Sequence, residues 1–222
     1  MNRDASVGIL FDTLQHKLGL KWAGSRHGDG RSIKNPQFTS AATALVGHLN
    51  LIRPNSVQIL GAIEIQHLER LGESARRDLI DQIFSDSTDL IVIGDNQPVP
   101  DDMRQRSEAS SVPLLSSDQP TGQLVSYLQY YLTTLFAEKI ILHGVFLEVF
   151  SLGLLITGDP SVGKSELALE LVARGHRLVA DDAPVFAKTA PDVLNGYCPD
   201  ILRDFLEVRG LGVLNVRAMF GD

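Results

Sequence analysis

Apolar side chains recur at helical spacing from Ser6 or Val7 onward, and Leu10, Phe11, Leu14 and Leu18 share one stripe, which predicts an opening helix. Gly24 to Asn35 breaks the pattern with glycine, serine and charge and reads as a loop. Ser56 to Leu60 then predicts a short strand with Val57 and Ile59 on one face. Glu73 to Phe84 returns to helical spacing, with Ala75, Leu79, Ile80 and Ile83 expected to point inward. The unbroken apolar run Leu90 to Ile93, ending at Gly94, is the signature of a buried strand. A helix over Asp101 to Ser110 and a strand over Val112 to Leu115 follow. Strands alternating with helices predict a small α/β domain.

Ser116-Ser117-Asp118-Gln119-Pro120-Thr121-Gly122 is the clearest linker composition in the chain, and it divides the sequence into a domain over 1–122 and another over 123–222. The second half opens with a helix whose inner face is Leu124, Tyr127 or Leu128, Tyr131, Leu132 and Leu135. Two apolar runs, Gly144 to Phe150 and Leu152 to Thr157, are separated only by Ser151 and predict a hairpin. Gly158-Asp159-Pro160-Ser161-Val162-Gly163-Lys164-Ser165 comes next, then a helix closed by Arg174-Gly175. The strand Arg177 to Ala180 delivers Asp181 and Asp182 at its end. No internal repeat, low-complexity run or heptad array interrupts this order.

Composition narrows the setting. Hydrophobic residues at 44% and charged residues at 21% are ordinary for a soluble globular protein. A net charge of -7 argues against an extended nucleic-acid footprint. Cys198 is the only cysteine, which excludes an internal disulfide and favours a reducing compartment. The first residues, Met1-Asn2-Arg3-Asp4, have no signal-peptide character, and no apolar run is long enough to span a bilayer. A cytoplasmic protein is expected.

The segment Gly158 to Ser165 fits the phosphate-binding (Walker A) loop G-x-x-x-x-G-K-[ST] at every fixed position, between a predicted strand and a predicted helix. Loop amides and the helix N-terminus present partial positive charge to a phosphate chain, Lys164 adds a full one, and the Ser165 hydroxyl suits Mg²⁺. Asp181 and Asp182, at the end of the next strand, suit metal coordination or proton abstraction, and strand alternation points them to opposite faces. His143 precedes the hairpin, and its chain position alone does not decide between a structural and an active-site role. His16, His27, His48, His67 and His176 are scattered and read as structural or surface residues. Leu206-Glu207-Val208-Arg209-Gly210-Leu211-Gly212 reads, on chemistry alone, as a surface ion pair before a strand. It is no dinucleotide fingerprint, since the third glycine is missing.

Taken together, His143-Gly144-Val145, the loop, Gly175 to Asp182 and Glu207 to Gly212 resemble the bacterial HPr kinase/phosphorylase family in order and spacing. The resemblance is strong from about Gln123 to Asp222 and extends to Arg53 to Gly61 in the first half. It implies a small N-terminal α/β domain followed by a P-loop kinase domain, assembled as a hexamer in the cytoplasm. It also implies a bifunctional enzyme of carbon metabolism. Such an enzyme phosphorylates a serine of HPr, the phosphocarrier of the sugar phosphotransferase system, with ATP or pyrophosphate, and removes that phosphate by phosphorolysis. By resemblance Asp182 is the proton acceptor and donor, Lys164 and His143 belong to the active site, Ser165 and Glu207 are the Mg²⁺ ligands, and Arg209 serves both reactions. Neither nucleic acid nor membrane is implied. Pro160-Ser161 stands where the family usually has a small residue and a glycine. Family members also continue past Asp222, with a further arginine, a flexible loop and helices that contact HPr, so the chain reads as lacking the family's C-terminal end. A small-molecule kinase and a nucleotide-binding regulatory module without turnover are the competing readings.

Overall fold

The computed structural model describes residues 6–26, 28–34, 44–190, 192–199 and 203–221, so His27 and Asn35 lie outside it. The chain divides into two compact units, Met1–Phe136 and Ala137–Asp222.

The first unit opens with α1 (Val7–Leu18), started by the Ser6 hydroxyl, which accepts from the Ile9 N–H, and stopped by Gly19 in the left-handed region. A five-stranded sheet follows, in the order β1 (Lys21–Trp22), β5 (Leu114–Ser116), β4 (Leu90–Ile93), β3 (Val57–Leu60), β2 (Val46–His48). β2 to β5 are parallel and β1 is antiparallel to β5. The helices α2 (Ala62–Arg70), α3 (Glu73–Ile83), α4 (Asp101–Ser110) and α5 (Thr121–Phe136) complete the unit.

Two hydrophobic cores explain the unbroken apolar strands. Val57, Ile59, Leu90, Val92 and Leu115 join α1 and α5 in one core, while Leu60, Ile91, Ile93 and Leu114 join residues of α2, α3 and α4 in the other. A parallel sheet covered on both faces buries both sides of every strand, so the period-2 signal vanishes. Val57 and Ile59 do share a face, as expected, but the opposite face is equally buried and includes Gln58. That amide stays satisfied: its Nε2 donates to Thr88 Oγ1 and its Oε1 accepts from the Asn50 N–H. Ala75 departs from expectation. It is exposed, and α3 packs inward through Ile80 and Ile83.

The stretch that composition marks as an inter-domain linker, Ser116 to Gly122, lies inside the first unit. Ser117 is buried and its hydroxyl donates to the Leu18 carbonyl. α5 follows and buries Leu124, Leu128 and Leu132 in the first core. The division between units therefore falls after Phe136 rather than after Gly122. Turn-rich composition reports a break in secondary structure, and α5 packs back onto the sheet it leaves.

In the second unit, β6 (Lys139–Ile141), β10 (Val185–Ala190) and β11 (Val193–Tyr197) form one small sheet in the order β11-β10-β6. A second sheet has the order β8-β7-β9, built from β7 (Val145–Val149), β8 (Leu152–Ile156) and β9 (Arg177–Ala180). Phe150 and Ser151, with φ of 49° and 64°, make the tight connection between β7 and β8. α6 (Lys164–Ala173) follows the phosphate loop, and β12 (Phe205–Val208) pairs with β13 (Gly212–Asn215) before the short α7 (Val216–Phe220). Val145 and Leu147 of β7, Ala168 and Val172 of α6, and Leu206 and Val208 of β12 share one core. Hairpin and phosphate-loop helix are thereby fixed to the same sheet. No helix among the described residues is long and apolar enough to cross a membrane.

Candidate active site

Strand directions bring the candidate residues together. β7 runs antiparallel to both β8 and β9, with Val145 opposite Ile156 and Phe146 opposite Ala180. The start of β7 and the ends of β8 and β9 therefore lie on one edge of the sheet. His143, the phosphate loop and Asp181-Asp182 all emerge there. The position of His143, open on chain geometry alone, is decided by this register: its Nδ1 lies 3.6 Å from Asp182 Oδ1, and both side chains are exposed. Gly144 makes the edge possible. Its N–H donates to the Asp182 carbonyl, its φ is 152°, and a Cβ there would come within 2.4 Å of the Ile156 carbonyl oxygen.

The phosphate loop is built on glycines that permit positive φ, 152° at Gly158 and 97° at Gly163, the residue that caps α6. The Lys164 ammonium donates to the carbonyls of Gly158 and Asp159, both at 3.0 Å, folding its charge over the loop. Ser165 is partly buried in the first turn of α6. The N-terminus of α6 and the Lys164 charge face one place, which suits an anion.

The two aspartates part company just past the end of β9, where the chain has left the extended conformation in which alternation applies. Asp181 turns toward the β12 hairpin, where its Oδ2 accepts from the Glu207 N–H at 2.8 Å. Burial pushes the Asp181 carboxyl above its usual range; the Glu207 N–H opposes this, and the charges of Asp182 and Glu207 add to it. Asp182 has a φ of 66° and holds its carboxylate in solvent beside His143. Asp181 thus ties the end of β9 to β12, whereas the Asp182 carboxylate stays exposed beside His143.

The β12 hairpin supplies the remaining groups. Leu206 and Val208 point into the core, so Glu207 and Arg209 face outward. Glu207 and Arg209 do not form the surface ion pair that chemistry alone suggests. Arg209 reaches the phosphate loop instead, its Nη1 donating to Ser161 Oγ at 2.7 Å. The Asp181–Glu207 and Arg209–Ser161 contacts join segments far apart in the chain, and neither spacing nor composition signals them. Ser165 and Glu207 offer hard oxygen donors of the kind Mg²⁺ takes alongside phosphates and water. Among the described residues no cluster of three or more His, Cys, Asp and Glu forms a ready-made metal cage.

Comparison with known proteins gives family matches to both halves of the chain. The family profile "HPr Serine kinase N terminus" matches residues 6–132, and "HPr Serine kinase C-terminal domain" matches residues 134–222. The HPr kinase/phosphorylase of Stenotrophomonas maltophilia (strain R551-3) is 48% identical over 222 residues, covering 100% of this chain and 70% of that protein. The HPr kinase/phosphorylase of Xylella fastidiosa (strain M12) matches with the same identity and coverage, 48%, 100% and 70%. That of Xanthomonas campestris pv. campestris (strain B100) is 47% identical, again over 100% of this chain and 70% of its own. Among solved structures, the Hpr(Ser) kinase/phosphatase from Coxiella burnetii matches at 39% identity and a TM-score of 0.35, covering 37% of this chain and 54% of that one.

Proposed function

The chain belongs to the HPr serine kinase family, and from that premise we propose that it transfers a phosphoryl group to a serine of HPr and removes it again by phosphorolysis. The observation that carries the reading is the meeting of three segments on one sheet edge: the phosphate loop after β8, Asp182 after β9 and His143 before β7.

Phosphoryl transfer needs positioning and charge neutralisation more than covalent chemistry. The backbone N–H groups between Gly158 and Gly163, of which Pro160 has none, bind the phosphates of ATP or pyrophosphate, and Lys164 moves from its carbonyl partners to the phosphate oxygens. Asp182 takes the proton of the HPr serine hydroxyl as that oxygen attacks phosphorus. In the reverse direction inorganic phosphate attacks phosphoserine, pyrophosphate forms, and Asp182 returns the proton to the departing serine oxygen. His143, when protonated, pairs with the Asp182 carboxylate and holds it in place. Arg209 adds positive charge at the loop in both directions. Ser165 and Glu207 would hold Mg²⁺, which when bound neutralises developing charge on the phosphate oxygens. Assembly as a hexamer and a cytoplasmic setting belong to the same proposal.

Transfer of label from ATP to purified HPr with Mg²⁺, compared between this chain and its Asp182→Asn variant, tests the reading. Labelled HPr serine that falls at least about 100-fold in the variant supports it, the scale of a lost general base. Nucleotide binding without any transfer would instead favour a nucleotide-binding module without turnover.

A further inference from the structure

Within the phosphate loop, Ser161 alone combines a left-handed backbone with a side-chain bond to another segment. Its φ is 66°, a conformation that favours glycine over serine. Its hydroxyl accepts from Arg209 Nη1 at 2.7 Å. Arg209 stands at the tip of the hairpin whose first strand, β12, is anchored by buried Leu206 and Val208, and Gly210, with a φ of 84°, turns the chain immediately after it. An exposed arginine loses considerable rotamer freedom when it is held in one place. The Ser161 hydroxyl offsets that loss with a charge-assisted hydrogen bond. A serine in a glycine conformation, spending its hydroxyl on a cation from another segment, has its use in that cation rather than in the loop's own stability.

We infer that Ser161 is a positioning residue: its hydroxyl holds the Arg209 guanidinium at the phosphate loop, so that an anion bound by the loop amides and Lys164 also meets Arg209. The guanidinium has five N–H donors, and its Nε and Nη2 make no hydrogen bond to a described residue, which leaves them for phosphate oxygens. The inference rests on the loop binding phosphate, as in the function proposed above, but not on transfer to HPr.

Pyrophosphate affinity with Mg²⁺, measured by calorimetry, is the test. Wild type, Ser161→Gly, Ser161→Ala, Arg209→Gln and the Ser161→Gly/Arg209→Gln double variant are compared, with thermal unfolding of each. Ser161→Gly and Ser161→Ala should each weaken binding by about threefold to tenfold, the size of one exposed charge-assisted hydrogen bond. The double variant should bind no more weakly than Arg209→Gln alone, because Ser161 acts through Arg209. Ser161→Gly relieves the backbone and should unfold at or above the wild-type temperature, which separates weaker binding from loss of fold. Unchanged affinity in Ser161→Ala, additive losses in the double variant, or no pyrophosphate binding by wild type would each overturn the inference. Failure to phosphorylate HPr while these affinities behave as stated would overturn the kinase reading alone.

Discussion

At the scale of single residues, Asp181 and Asp182 show how far adjacent and chemically identical groups can diverge. Strand alternation gives a reason to expect opposite faces, but β9 ends at Ala180 and Asp182 has a left-handed φ, so it does not decide which carboxylate is tied. That depended on the β12 hairpin, which approaches Asp181 from a distant part of the chain. Asp181→Ala leaves the Glu207 N–H without its acceptor and should cost about 1–2 kcal/mol in urea unfolding. Asp181→Asn keeps an acceptor oxygen and sheds a charge that burial disfavours, so it should cost little. The two should also differ in pH dependence. The folded-state pKa of Asp181 is raised, so its contribution is fully present below the unfolded value of about 3.9 and is lost as pH rises through the folded value. The stability difference between wild type and Asp181→Asn should therefore move against wild type over that window. A difference that is flat with pH would refute the assignment.

Elements are where the sequence was most readable and also where it fell silent. Asp101 to Ser110 emerged with the bounds its pattern predicted, because Asp101 and Asp102 sit in the first turn, where they favour the helix dipole. β1 and β2, of two and three residues, are too short to carry a period, and α2 offers only Ile65 and Leu68 as buried positions. The β10–β11 hairpin left no reading because its strands are half exposed and mixed in character. Long-range pairs complete what local pattern begins. Arg76 of α3 grips Asp102 of α4 with two donors, Nε to Oδ2 and Nη2 to Oδ1, the latter at 3.0 Å. The Arg76 hydrogen bond holds the Asp102 carboxyl below its usual range, against the opposing effect of burial. A lowered folded pKa means stability that is present above the unfolded value of about 3.9 and lost as pH falls through the folded one. Arg76→Gln should remove that acid-side loss while lowering stability near neutrality by less than about 1 kcal/mol, since the pair is partly exposed. Parallel stability curves for the two proteins between pH 6 and pH 3 would show that the pair does not couple the helices.

For the molecule as a whole, the question is where one folding unit ends, and here composition and packing disagree. The Ser116 to Gly122 stretch has every mark of a linker, yet the first core is not closed until α5 has delivered Leu124, Leu128 and Leu132. Local composition cannot report that a helix returns to the sheet, because the return depends on packing against β2 and β3, which are distant in the chain. Each of the three leucines is fully buried. At about 2 kcal/mol apiece their burial rivals the whole net stability of a small domain. A fragment ending at Gly122 would leave β2 and β3 uncovered on one face of the sheet, with the strand residues beneath α5 exposed to water. A fragment ending at Phe136 keeps both cores of the unit intact. Residues 1–136 made alone should therefore unfold cooperatively in urea and give a dispersed amide spectrum, whereas residues 1–122 should give neither. Cooperative unfolding of 1–122 at the same midpoint as 1–136 would mean that α5 is an accessory of the sheet rather than one of its two covering layers.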